Sequence, residues 1–169
     1  GTITYGGLCS SSGDNTSVGG PDNAPANNAI TFNALAEGTY GPDNCTIAVT
    51  DNLSNTSDNL SVSSFTIDTT APALAEVAVV TTPTNDNSTL KYIFSSNEAG
   101  DINYGGGCED SNTSRATVDN NTITFDALAE GTYDNCTISV DNNSNTSDNL
   151  SVSSFTIDTT APRLDNVTI

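Results

Sequence analysis

The sequence predicts an all-β chain built from tandem Greek-key sandwiches, and three observations carry that expectation. Apolar, β-branched and aromatic residues alternate with polar ones at period two, and no segment shows the 3.6-residue period of a helix. The stretch Ser54-Asn-Thr-Ser-Asp-Asn-Leu-Ser-Val-Ser-Ser-Phe-Thr-Ile-Asp-Thr-Thr-Ala-Pro72 returns letter for letter as Ser144 to Pro162, so a whole module is repeated. Four cysteines fall two to a copy, at equivalent places.

The repetition runs beyond that block. Ile30-Thr-Phe-Asn-Ala-Leu-Ala-Glu-Gly-Thr-Tyr40 matches Ile123 to Tyr133 with one Asn-to-Asp change, and Tyr5-Gly-Gly-Leu-Cys9 matches Tyr104-Gly-Gly-Gly-Cys108. Insertions in the first copy, Ser11 to Asn28 and Gly41-Pro42, have turn compositions that tolerate extra length. Residues 1–70 therefore read as a repeat lacking its first two strands, 71–160 as a complete repeat, and 161–169 as the first strand of a following one, matched to Ala71–Val79. On this reading the chain is a window on a longer array.

Within the complete copy the strands follow in order. Leu74 to Val80 is the first, and Thr89 to Ser96, with Leu90, Tyr92 or Ile93, and Phe94 alternating, is the second. Asp101 to Cys108 follows, then a weak strand near Arg115 to Val118, then Asn121 to Ala127, Asn135 to Asp141 and Leu150 to Asp158. Short strands joined by Asn, Asp, Gly and Ser turns, in a unit of about 90 residues, fit an immunoglobulin-like sandwich of about 100 residues. Hydrophobic content of 34% leaves only a thin core, which calls for a covalent or metal staple.

Leu128-Ala-Glu-Gly-Thr-Tyr133 before Cys136, and Leu35 to Tyr40 before Cys45, suggest a tyrosine corner, in which the hydroxyl bonds back to the preceding turn. The cysteines predict one disulfide inside each copy, Cys9 with Cys45 and Cys108 with Cys136, because the partners end and begin neighbouring antiparallel strands at one pole. Metal thiolates, for which no CxxC spacing exists, and free thiols are the alternatives. Such bridges place the chain in an oxidising, extracytoplasmic compartment.

Tyr-Gly-Gly-x-Cys, Leu-Ala-Glu-Gly-Thr-Tyr, Cys-Thr-Ile-x-Val and Phe-Thr-Ile-Asp-Thr-Thr-Ala-Pro together resemble the bacterial Ig-like repeats of giant surface adhesins and extracellular fibres. The resemblance covers essentially the whole chain, with Asp-Thr-Thr-Ala-Pro its most diagnostic element. It implies a tandem stalk at the cell surface and no particular ligand.

Composition narrows function further. Three Lys+Arg against 21 Asp+Glu, a net charge of -18, repels nucleic acid and anionic lipid. No apolar run approaches the roughly 18 residues of a membrane span, and no basic leader opens the chain. His, Met and Trp are absent, so a Ser or Cys nucleophile would lack its usual base, and no enzyme is expected. An isopeptide crosslink would have to use Lys91, the sole lysine. Sequons such as Asn15, Asn55, Asn87, Asn112 and Asn145 permit glycosylation without indicating it.

Tracing strands up and down brings the linker Asp68–Pro72 against the loops at Asn97–Asp101 and Asp141–Asn145 of the next repeat. Carboxylates and Asn carbonyls without His or Cys suit Ca²⁺, which accepts irregular coordination by 6 to 8 oxygens. Asp68, Glu98 and Asp141 are the expected ligands, with solvated acidic turns as the plain alternative. The functional expectation is a non-catalytic spacer whose partners are neighbouring repeats. A module that contacts glycans or another cell surface through the Ser11 to Asn28 loop is the alternative.

Overall fold

The computed structural model describes residues 1–10, 28–142 and 145–166, and every regular element among them is a β-strand. The chain divides into two units, Gly1–Thr69 and Thr70–Ile169. The first holds β1 (Thr2–Gly7), β2 (Gly38–Tyr40), β3 (Cys45–Thr50), β4 (Leu60–Ser61) and β5 (Phe65–Ile67). One antiparallel sheet runs β1-β3-β4, and β2 and β5 form a separate ribbon. Gly7 lies opposite Cys45 in register, so Cys9, just past the strand end, reaches Cys45 and bonds to it with Cα atoms 5.2 Å apart.

The Tyr-Gly-Gly-x-Cys motif explains how the chain turns into that cysteine. Gly7 has φ 75°, and a Cβ there would collide with the Asn44 carbonyl, to which Leu8 N donates at 2.7 Å. Gly106 repeats the conformation against Asn135. Only glycine fits a left-handed residue pressed against backbone.

The second unit holds β6 (Leu74–Ala78), β7 (Lys91–Ser96), β8 (Gly100–Gly105), β9 (Arg115–Ala116), β10 (Asp119–Thr124), β11 (Gly131–Tyr133), β12 (Thr137–Asn142), β13 (Asn145–Thr146), β14 (Leu150–Ser151) and β15 (Phe155–Ile157). One antiparallel sheet runs β10-β7-β6, and a second runs β13-β12-β8-β9, with β14 also on β12. Their inward residues, Tyr92, Phe94 and Ile123 from one and Ile102, Ile138 and Val140 from the other, join a single buried cluster, as the layers of a β-sandwich do. Cys108 and Cys136 are bonded at its edge, Cα atoms 5.5 Å apart. No free cysteine remains.

Two departures from the predicted strands are informative. The strand expected over Leu150 to Asp158 splits into β14, paired with β12, and β15, paired with β11. Its buried residues are Val152, Phe155 and Ile157, so the inward phase slips by one across Ser153-Ser154. Here the strand changes partners at the slip, whereas β6 absorbs a register shift between Glu76 and Ala78 without leaving β7. Neither β11 nor β13 was expected. β11 exists because the second half of the split strand needs a partner, and Tyr133↔Phe155 supplies an aromatic cross-strand pair.

Candidate functional site

Where the chain leaves each unit, a carboxylate holds it. Ala129 and Gly131 flank Glu130 in the turn before β11, and the turn is pinned from within by Tyr133 Oη donating to the Ala129 carbonyl at 2.9 Å. The first unit repeats the bond, Tyr40 Oη to Ala36 O at 2.8 Å. Gly131 has φ 154° and Gly38 φ 148°, backbone that a side chain would disfavour. The turn thus aims Glu130 at the segment after β15. Its carboxylate accepts Thr159 N at 3.1 Å, Thr159 Oγ1 at 2.8 Å and Thr160 Oγ1 at 2.8 Å, while Asp158 Oδ1 accepts Thr160 N at 3.1 Å. In the first unit Thr69 Oγ1 donates to Glu37 Oε2 at 3.2 Å. Hydrogen bonds from the Thr159 and Thr160 side chains, then the Thr159 amide, hold the Glu130 carboxyl below the usual carboxylate range.

The opposite pole receives the chain. Ala73 N donates to Asn97 Oδ1 at 2.7 Å and Asn97 N to the Ala73 carbonyl at 3.3 Å, fastening the incoming segment to the loop between β7 and β8. Glu98 in that loop accepts Asn142 Nδ2 at 2.7 Å. Asp141 pairs in register with Asp101 and accepts Thr146 Oγ1 at 3.0 Å, and Asp101 is in turn bridged by Arg115. Glu98 and Asp141 therefore share one pole of the second unit, whereas Asp68 belongs to the first. Among the described residues no three His, Cys, Asp or Glu side chains gather as a metal centre would require. Lys91 is exposed on β7, outside any dry core, so the structure gives an isopeptide crosslink no setting. The Ser11 to Asn28 loop lies, but for its last residue, outside the described residues.

No protein-family model, curated protein or solved structure matches this chain. Function has to be argued from the chain's own geometry.

Sequence reasoning missed four carboxylates that organise the fold. Glu130 and Glu37 were legible, since both copies retain them in Leu-Ala-Glu-Gly-Thr-Tyr beside an identical Asp-Thr-Thr. Glu76 sits at the inward phase of β6, where an acid is out of place unless paired. It accepts Ser153 Oγ at 2.7 Å, Ser153 N at 2.9 Å and Tyr92 Oη at 3.0 Å, joining β6 to β7 and to the β14–β15 break. Burial opposes its charge, yet the bonds from Ser153 and Tyr92 outweigh it and lower its pKa. Burial, then the Glu76 carboxylate, pushes the Tyr92 hydroxyl far up. Asp110, 4% exposed, accepts Asn112 N, Thr113 N and Thr124 N at 2.8, 3.1 and 2.9 Å. Burial opposes the Asp110 charge as well, and those bonds again prevail and lower its pKa. These groups hold strands and turns together.

Proposed function

We propose that the chain is a pair of tandem immunoglobulin-like Greek-key modules acting as a spacer in an extracellular, repeat-built surface protein or filament of adhesin type. One observation carries the reading. Each unit fixes its own outgoing linker through the same carboxylate, Glu37 on Thr69 and Glu130 on Thr159, so the device is duplicated with the module. A repeat that controls the direction in which the next begins suits an array used for length and spacing. The pairing β6-β7-β10 against β9-β8-β12-β14 supports the Greek-key assignment, being the pairing of the two sheets of such sandwiches. The two disulfides fit an oxidising setting, and among the described residues no helix is long and apolar enough to cross a membrane.

The experiment is small-angle scattering of the chain with and without chelator. A narrow distribution of interatomic distances is expected, because the linker is fastened at its start by Glu37 and at its end by Asn97. Ca²⁺, which takes 6 to 8 oxygen ligands, is the cation proposed for the carboxylates of Asp68, Glu98 and Asp141 with Asn carbonyls beside them. If it binds there, chelation broadens the distribution without unfolding either unit. A distribution already as broad as that of freely jointed units would overturn the spacer reading. Calorimetric binding of glycans to the chain, lost on deleting residues 11–27, would favour the binding-module alternative.

A further inference from the structure

The second unit begins and ends on one seam. Thr84 bridges Ile157 in parallel, whereas the ladders of both sheets in this unit are antiparallel. Thr84 N donates to Thr156 O at 3.0 Å, Thr84 O accepts Asp158 N at 2.9 Å, and Thr82 Oγ1 accepts Thr156 N at 2.9 Å. Further up the seam, Glu76 on β6 accepts Ser153 N at 2.9 Å and Ser153 Oγ at 2.7 Å. The partners advance together, Glu76 with Ser153, Thr82 with Thr156 and Thr84 with Asp158, so the chain entering the unit runs alongside the chain leaving it and in the same direction. From its other side β6 is held by the antiparallel ladder to β7 and by Tyr92 Oη, which donates to Glu76 at 3.0 Å.

That direction decides how the unit answers tension. In a parallel pair the entry of one strand and the exit of the other lie at opposite ends, so tension along the chain slides the two past each other and loads every bond of the seam at once. Strands peeled apart from one end break their bonds singly. We propose that the segments Glu76–Thr84 and Ser153–Asp158 form a shear clamp that keeps the second unit folded when the chain is pulled from its two ends. Once the seam breaks, the Cys108–Cys136 bridge carries tension past residues 109–135, so the bonds of Asp110 to Asn112, Thr113 and Thr124 are never pulled open. The use of such a clamp rests on the spacer reading, but its existence is a property of the second unit alone, and a broad scattering distribution would not touch it.

The test stretches the full chain by its ends, one molecule at a time. Reduction tells the units apart, because freeing disulfide loops of 28 and 36 residues should lengthen the second unit's release by about 95 Å and the first's by about 120 Å, at about 3.3–3.6 Å per residue. With the bridges intact and the load fixed, Glu76→Gln should speed rupture of the second unit about tenfold and Thr82→Ala about threefold, the scale for losing a charge-assisted and a neutral hydrogen bond from the barrier. Asp110→Asn turns one acceptor oxygen into a donor and should lower the melting temperature, yet change the loaded rupture rate by less than about twofold, since its bonds are still intact when the seam gives way. Thr82 is exposed, so Thr82→Ala retains the fold even if Glu76→Gln does not. Three results would overturn the clamp: release of the second unit without a resolvable force peak, an unchanged rupture rate in folded Thr82→Ala, or Asp110→Asn speeding rupture as much as the seam variants do.

Discussion

Phe65 and Phe155 occupy the same place in identical sequence and stack on equivalent tyrosines, with ring centroids 5.2 Å apart in both units. The tyrosine hydroxyl bond back to alanine is repeated to within 0.1 Å, as is the register of the ribbon, Tyr40↔Phe65 and Tyr133↔Phe155. Yet Phe155 is 1% exposed and Phe65 only half-buried. Local chemistry therefore builds the corner and the ribbon without help, while burial is decided by what crosses over from distant sequence. The same letters make the same turn and a different core.

The sharpest way to break that comparison is to delete the ring from each unit. Phe155→Ala should cost about 3–5 kcal/mol, the range for a fully buried aromatic, and Phe65→Ala clearly less, because fewer neighbours surround the ring. Chemical denaturation monitored by unit-resolved amide signals measures both. Equal losses would mean that residues outside those described complete the first core.

The disulfides should rank the units in the opposite order. Closing sequence separations of 36 and 28 residues, each bridge stabilises by about 3–4 kcal/mol through the unfolded chain. Among the described residues of the first unit, the buried cluster is Cys9, Tyr40 and Cys45 with half-buried Phe32, Leu35, Val62, Phe65 and Ile67 against it, so the bridge is a large part of what holds it. Reduction should unfold the first unit while the second, with its two-sheet core, stays folded. Thermal melts with and without reductant, read at Tyr40 and Tyr133, should separate them. Retention of the first unit after full reduction would show its core to be larger than that cluster.

Much of this was legible in the sequence, for identifiable reasons. The repeat, the all-β pattern, the cysteine pairs and the tyrosine–turn bond all depend on residues close in sequence or duplicated between copies. The strand split was also legible, in the phase slip between Val152 and Phe155, but alternation was read as continuous through Ser153-Ser154. Glu76 and Asp110 were hidden because their partners, Ser153 and Thr124, come from strands whose placement only the folded chain defines. Glu37 and Glu130 stand in both copies of Leu-Ala-Glu-Gly-Thr-Tyr, but only the pairing of β2 with β5 and of β11 with β15 brings them to their threonines.

Acid should separate the units next. Folding lowers the pKa of Glu76 and Asp110 from ordinary values of 4.5 and 3.8, so the unfolded chain takes up their protons first as pH falls. Their contribution is complete above pH 4.5 and is lost as pH drops through and below these values. The second unit should therefore lose stability over that window, and Glu76→Gln should flatten part of the slope. The described residues of the first unit include no counterpart of either group. Its exposed Asp51, lowered by bonds from Asn55, should matter little because solvent screens it. Denaturation midpoints between pH 3 and 6 test the difference, and parallel curves for the two units would refute the assignment.

The smallest effect on stability, and the most specific, belongs to the linker carboxylates. Glu37 holds the segment that joins the two units, whereas Glu130 holds the segment after the second, so identical substitutions should read out differently. Glu37→Gln weakens a charge-assisted bond to Thr69 and should broaden the scattering distance distribution, leaving both melting transitions in place. Glu130→Gln should leave the distribution unchanged and instead speed exchange of the Thr159 amide, which donates to Glu130. The bond geometry predicts this asymmetry because each carboxylate acts on the chain that leaves its own unit. A broadening with Glu130→Gln, or none with Glu37→Gln, would mean that the direction of the linker is set by something other than these turns.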